Sequence, residues 1–153
     1  MNDRRHAADA PPVAEFAARL GYAPMDTIHA EFEELLRRGK GGTAEGWLPL
    51  LVQLDAHLRS HFEAEDRWMT DTNFPPRDCH MGEHAAVLKS SAEVLQLARA
   101  GDPSAAASFL ASLAEWFPGH AAYLDSALAA WMCKRQFGGR PVVLFRPIKG
   151  RTA

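Results

Sequence analysis

His61 and Glu65 stand four residues apart, as do His80 and His84, while His120 precedes Asp125 by five and His29 lies alone upstream. On an α-helix, residues four apart differ by about 40° around the axis, so each such pair projects from one face and can meet one ion. The five-residue spacing gives about 140° on a straight helix and needs a local bulge, or an Asp that reaches round to bridge two ions. Imidazole with carboxylate suits a borderline or hard first-row metal such as iron, rather than the thiolate sets of structural zinc. Five imidazoles and two carboxylates exceed the needs of one ion and suit two metals sharing both carboxylates. Two ferrous ions, two carboxylates and a bridging hydroxide leave a residual charge of about +1, which an apolar bundle core tolerates where isolated charges would not. Taken singly, a helical His is an ordinary capping or solvated residue, and His6 and His57 are read that way. The groupings carry weight together because each falls on a separate segment.

Those segments read as helices. Met25 to Arg38 has Ile28, Phe32, Leu35 and Leu36 at helical spacing, with Asp26 or Thr27 to cap it and Gly39, Gly41 and Gly42 to stop it. Thr43 to Thr70 carries Leu50, Leu51, Leu54, Leu58, Phe62 and Met69 at a period near 3.6, and Asn73, Pro75 and Pro76 end it. A third helix runs from an Asp78 cap to Ala100, with Val87, Leu88, Val94, Leu95 and Leu97 as core candidates. After Gly101-Asp102-Pro103, with Asp102 as cap and Pro103 at the first helical position, the fourth runs from Ser104 to Phe137. Pro118-Gly119 predicts a kink or restart within it. Almost nothing reads as strand. The expected fold is all-α: an antiparallel up-down four-helix bundle over 25–137, with an N-terminal arm (1–24) and a basic C-terminal tail (138–153).

Composition narrows the function classes. Lys+Arg 17 against Asp+Glu 19 gives a formal net charge of −2, which argues against a dedicated nucleic-acid protein. No apolar run reaches the length of a membrane span, and Met1 to Pro12 has no apolar stretch of a signal peptide, so a cytoplasmic protein, monomer or small homo-oligomer, is expected. The two cysteines, Cys79 and Cys133, cannot build a disulfide framework and are read as buried inert thiols, with redox sensing as the alternative. The tail gathers Lys134, Arg135, Arg140, Arg146, Lys149 and Arg151 around the apolar run Val142 to Phe145. It reads as an arm packed along the bundle, or else as a docking strip for an acidic protein partner.

The run Met25-Asp26-Thr27-Ile28-His29, His61-Phe62 with Glu65 and Met69, the His80/His84 pair, and Trp116-Phe117 followed by His120 and Asp125 together resemble hemerythrin, in its bacterial branch. The resemblance covers residues 25 to 130 and fills every ligand position of the family pattern. It implies two non-haem iron ions with an oxo or hydroxo bridge. His80, His84 and His120 would hold one iron, His29 and His61 the other, and Glu65 and Asp125 would bridge them. O₂ would bind reversibly, as a hydroperoxide, at the open position of the two-His iron. A dry pocket near Ile28, Phe32, Phe62, Trp116 and Phe117 would slow irreversible oxidation. Two positions depart from the pattern: Phe117 stands where the family usually has Leu, and Ala121 where it has a large aliphatic.

The leading expectation is therefore O₂ binding for carriage, storage or sensing, without catalysis. One alternative is a di-iron enzyme acting on peroxide, nitric oxide or ferrous iron. It would need an acid or base near the open position, and Glu63 and Asp66, which flank Glu65, are expected to face away from it. Another is an interaction module in which metal or O₂ switches a partner surface, with the basic tail as effector.

Overall fold

A computed structural model describes residues 19–138. The arm before residue 19, with His6, and the basic tail beyond residue 138, with its apolar run, lie outside the described residues. Helix α1 spans Ala23–Gly39, α2 Ala44–Asp71 and α3 Arg77–Arg99. Helix α4, Ala106–His120, passes through a π-helical segment, Ala121–Asp125, into α5, Ser126–Gln136. The dihedrals at both junctions are helical, so these three pieces form one rod and the molecule is a four-helix bundle. No strand occurs among the described residues. The helices contact one another in ring order, α1 with α2, α2 with α3, α3 with α4, and α4 back to α1.

The apolar stripes meet in two clusters. One joins Phe32, Leu36, Leu51, Leu54, Leu58, Phe62, Leu95, Leu110, Leu113 and Phe117; the other joins Met25, Met69, Phe74, Leu128 and Ala129. Burying side chains of this size stabilises the fold by about 1.5–3 kcal/mol each. All six apolar positions expected on α2 are buried. Gly39 is buried where α1 approaches its neighbours: a Cβ there would come within 2.9 Å of Leu110 Cδ1. Gly101 takes φ +91 in the α3–α4 turn, a conformation that favours glycine.

Several local expectations change. Leu97 is 45% exposed, and the inward positions of α3 are instead His80, His84, Ser91, Leu95 and Ala98. Leu97 lies two residues past Leu95, about 200° round the helix, so a face set by the histidines turns it outward. The Asp26 carboxylate does not cap α1. It accepts bonds from the Leu20 and Gly21 N–H groups at 2.7 and 3.1 Å and ties the approaching chain to the first turn. Tyr22 and Pro76, not Thr27 and Asp78, hold the cap positions of α1 and α3. Asp102 does accept from the Ser104 N–H at 3.0 Å, but Pro103 opens a turn and α4 starts at Ala106. Cys79 is exposed and Cys133 half-buried, so neither is a fully buried thiol.

Candidate metal centre

The polar residues that the sequence singles out sit between the two apolar clusters. On α1, His29 falls between Met25 and Phe32; on α2, His61 and Glu65 fall between Leu58 and Met69; on the fourth rod, His120 and Asp125 fall between Phe117 and Leu128. Each helix thus interrupts its apolar stripe at one level. All seven side chains are brought together and buried, with Glu65, His84 and Asp125 at 0% exposure.

The five-residue spacing of His120 and Asp125 is accommodated by the π segment. The Ser126 N–H donates to the Ala121 carbonyl, an i→i+5 bond that fits one extra residue into the turn. The irregularity expected at Pro118-Gly119 thus falls three residues later, and α4 runs through Pro118 to His120. Asp125 then faces the same interior as His120, their Oδ1 and Nε2 atoms 3.1 Å apart.

The seven donors form two groups that share Glu65. One comprises Glu65, His80, His84, His120 and Asp125; the other comprises His29, His61 and Glu65. Within the first, His120 Nε2 lies 3.2 Å from the Nε2 atoms of both His80 and His84. Glu65 Oε2 lies 3.2 Å from His84 Nε2, while its Oε1 lies 3.0 Å from His61 Nε2. Asp125 Oδ1 lies 2.9 Å from His80 Nε2, while its Oδ2 lies 3.2 Å from His29 Nε2. Each carboxylate therefore turns one oxygen to each histidine group.

These contacts are close, yet several are not aligned as hydrogen bonds. His29 Nε2, Glu65 Oε2 and both Asp125 oxygens are buried without a hydrogen-bond partner. Leaving such atoms unpaired in a core costs about 1–3 kcal/mol each or more. Donors that converge on common points, rather than pairing off, are what a cation would satisfy, and nitrogen with oxygen donors fits a first-row divalent or trivalent ion. The residues present thus fit a pair of such ions.

The electrostatics agree. Burial alone would raise the Glu65 carboxyl, but His29, His61, His80 and His84 hold it well below the usual carboxylate range. Asp125 is likewise lowered against its burial, by His120, His29 and His80. Burial alone would lower His29 and His80, but pairing with Asp125 and Glu65 raises both to about 9. His84 is also raised against its burial, by Asp66 and Glu65. Protons on these imidazoles are what a cation would displace.

Aromatic rings pack against the cluster. Phe62 stacks on His84 with centroids 4.1 Å apart, and Trp116 lies over His120 at 4.3 Å. Phe117 meets His29 edge-on at 5.0 Å and Phe32 meets His61 at 6.0 Å. Ile28 is half-buried and bonds through its backbone to His57.

Three residues nearby were misread or missed in the sequence. His57 is neither a cap nor solvated: its side chain is 11% exposed, and its ring stacks on Phe32 and meets His61 edge-on at 5.5 Å. Burial, with His61 next, pushes its pKa down to about 4. Asp66 does turn from Glu65 but bonds His84 Nδ1 at 2.8 Å, and Glu83 bonds His120 Nδ1 at 2.7 Å. Their signal in the sequence is adjacency, since Asp66 follows Glu65 and Glu83 precedes His84. A residue one step from an inward position is rotated by about 100° and faces the flank shared with a neighbouring helix.

Residues 20–132 match the family model described as the hemerythrin HHE cation binding domain. The chain is 34% identical over 119 residues to a bacteriohemerythrin of Ralstonia nicotianae (strain ATCC BAA-1114 / GMI1000), covering 78% of this chain and 87% of that protein. No solved structure matches.

Proposed function

Since the chain belongs to the hemerythrin family, we propose that it holds two non-haem irons and binds O₂ reversibly. His80, His84 and His120 would hold one iron and His29 and His61 the other, with Glu65 and Asp125 bridging. The irons, when bound, would supply the electrons that O₂ takes up on binding and returns to them on release. The chain's own residues do the rest. The two carboxylates neutralise part of the metal charge and fix the spacing of the halves. Phe32, Phe62 and Phe117 keep water from the histidines they touch, which protects the centre from irreversible oxidation while admitting a small neutral ligand.

The observation that carries this reading is the division of each carboxylate between the two histidine groups: Glu65 has Oε1 at 3.0 Å from His61 and Oε2 at 3.2 Å from His84. A bridge between two ions needs that arrangement, whereas a single ion would leave one oxygen of each carboxylate idle. The two outer carboxylates, Asp66 and Glu83, are both engaged with histidines of the three-His group. A titratable side chain beside the two-His group is His57, whose ring meets His61 edge-on at 5.5 Å, and an enzyme acting on peroxide or nitric oxide would draw its acid or base from that side.

The test is metal content together with visible absorption of the ferrous protein before O₂, after O₂ and after deoxygenation. About two irons per chain, and a charge-transfer band that appears with O₂ and vanishes without it, is the expected result. Two irons with irreversible conversion to a stable diferric form would favour the redox enzyme instead.

A further inference from the structure

Asp66 and Glu83 reach the cluster from outside, each across a helix boundary. Asp66 on α2 serves His84 on α3 at 2.8 Å, and Glu83 on α3 serves His120 on the fourth rod at 2.7 Å. Each histidine so held is also covered on a ring face, His84 by Phe62 with planes 6° apart and His120 by Trp116 with planes 33° apart. The remaining histidines differ: the buried Nδ1 atoms of His61 and His80 have no hydrogen-bond partner.

A carboxylate on Nδ1 fixes the proton there, which leaves the Nε2 lone pair for a metal and makes the ring a better donor. The Nε2 atoms of His84 and His120 are 3.2 Å apart and aimed at the same interior point. Tautomer, tilt and electron density of both rings are thus set from outside, and both rings belong to the three-His group. Asp66 and Glu83 are 30% and 43% exposed, so solvent screens their direct field and the effect passes chiefly through the hydrogen bonds into the rings.

We propose that Asp66 and Glu83 are positioning residues that make the three-His half the tighter and more electron-rich half of the centre, the half that fills first and more readily holds the ferric state. This rests on the two-metal reading of the site.

The experiment is an anaerobic Fe²⁺ titration of the full chain after removal of metal, for the wild type, Asp66→Asn, Glu83→Gln and the exposed control Glu34→Gln. It is paired with the reduction potential of each iron-loaded protein. The wild type is expected to take up two ions in two resolved steps. Asp66→Asn and Glu83→Gln should each weaken the tighter step by about 10–100-fold, leave the weaker step unchanged and raise the potential. Glu34→Gln should move neither quantity. Circular dichroism and the thermal midpoint of each metal-free variant verify folding, and the two residues lie on different helices, so either variant suffices. Wild-type uptake of two ions in one step, unchanged affinities and potential in the variants, or equal weakening of both steps would each overturn the proposal. Failure of the wild type to take up two ions would instead refute the two-metal reading beneath it.

Discussion

The two halves of the centre are built from the same imidazoles and share the same carboxylates, yet their surroundings are unlike. Around His84 and His120 the protein supplies outer carboxylates and stacked aromatic faces. Around His29 and His61 it supplies edge contacts from Phe117 and Phe32, and His29 also lines a groove of about 1320 Å³ along α1 that includes Glu31, Arg38 and His57. Outer hydrogen bonds restrain a ligand's direction, whereas a histidine such as His61, whose Nδ1 has no hydrogen-bond partner, would be freer to adapt to a metal's coordination. On the proposed two-metal reading, the three-His half would retain an ion and the two-His half would leave one accessible.

The largest break in this comparison should come from Glu65→Ala, because its two oxygens face different halves. Both ions should be lost or much reduced while the protein stays largely helical, as read by metal analysis and circular dichroism. Full retention of two irons would sink the assignment. His29→Ala should be more selective, leaving about one iron per chain and abolishing the optical response to O₂. Loss of both irons from that variant would show that the halves are not separable.

An intermediate effect is expected from pH on the metal-free protein. His29 and His80 have folded pKa values of about 9 against a reference of 6.5. Their contribution to stability is fully present below the unfolded value and is lost as pH rises through about 9. The thermal midpoint of the metal-free protein should therefore fall over that range. The metal-loaded protein should not show this fall, since the ions replace those protons. A midpoint that is flat through pH 9 without metal would refute the charged pairing.

The smallest effect should follow from Phe117→Leu, which replaces the ring by a smaller aliphatic side chain. Phe117 is 1% exposed and packs on Phe32 at 4.8 Å as well as on His29. Removing its ring volume should cost about 1–2 kcal/mol in denaturant unfolding. Its functional effect should appear on the two-His side alone, as a several-fold change in oxidation rate in air with iron content unchanged.

Much of this was open to inspection of the chain. Six buried apolar positions on α2, the pairs His61/Glu65 and His80/His84, and the strain implied by His120 and Asp125 all express one local rule, the angle per residue of a helix. Local geometry fixes how residues on one helix lie relative to one another, so the helices, their inward faces and the seven-residue set could be drawn from the sequence itself. It does not fix the rotation of one helix against another. That rotation turned Leu97 to solvent, half-buried His57, exposed Cys79 and aimed Asp66 and Glu83 across helix boundaries. It also decided which oxygen of Glu65 and of Asp125 faces which histidines. The sequence determined the donors and their helices; only packing among four helices, which sets their relative rotation and level, decided how the donors divide into two unequal halves.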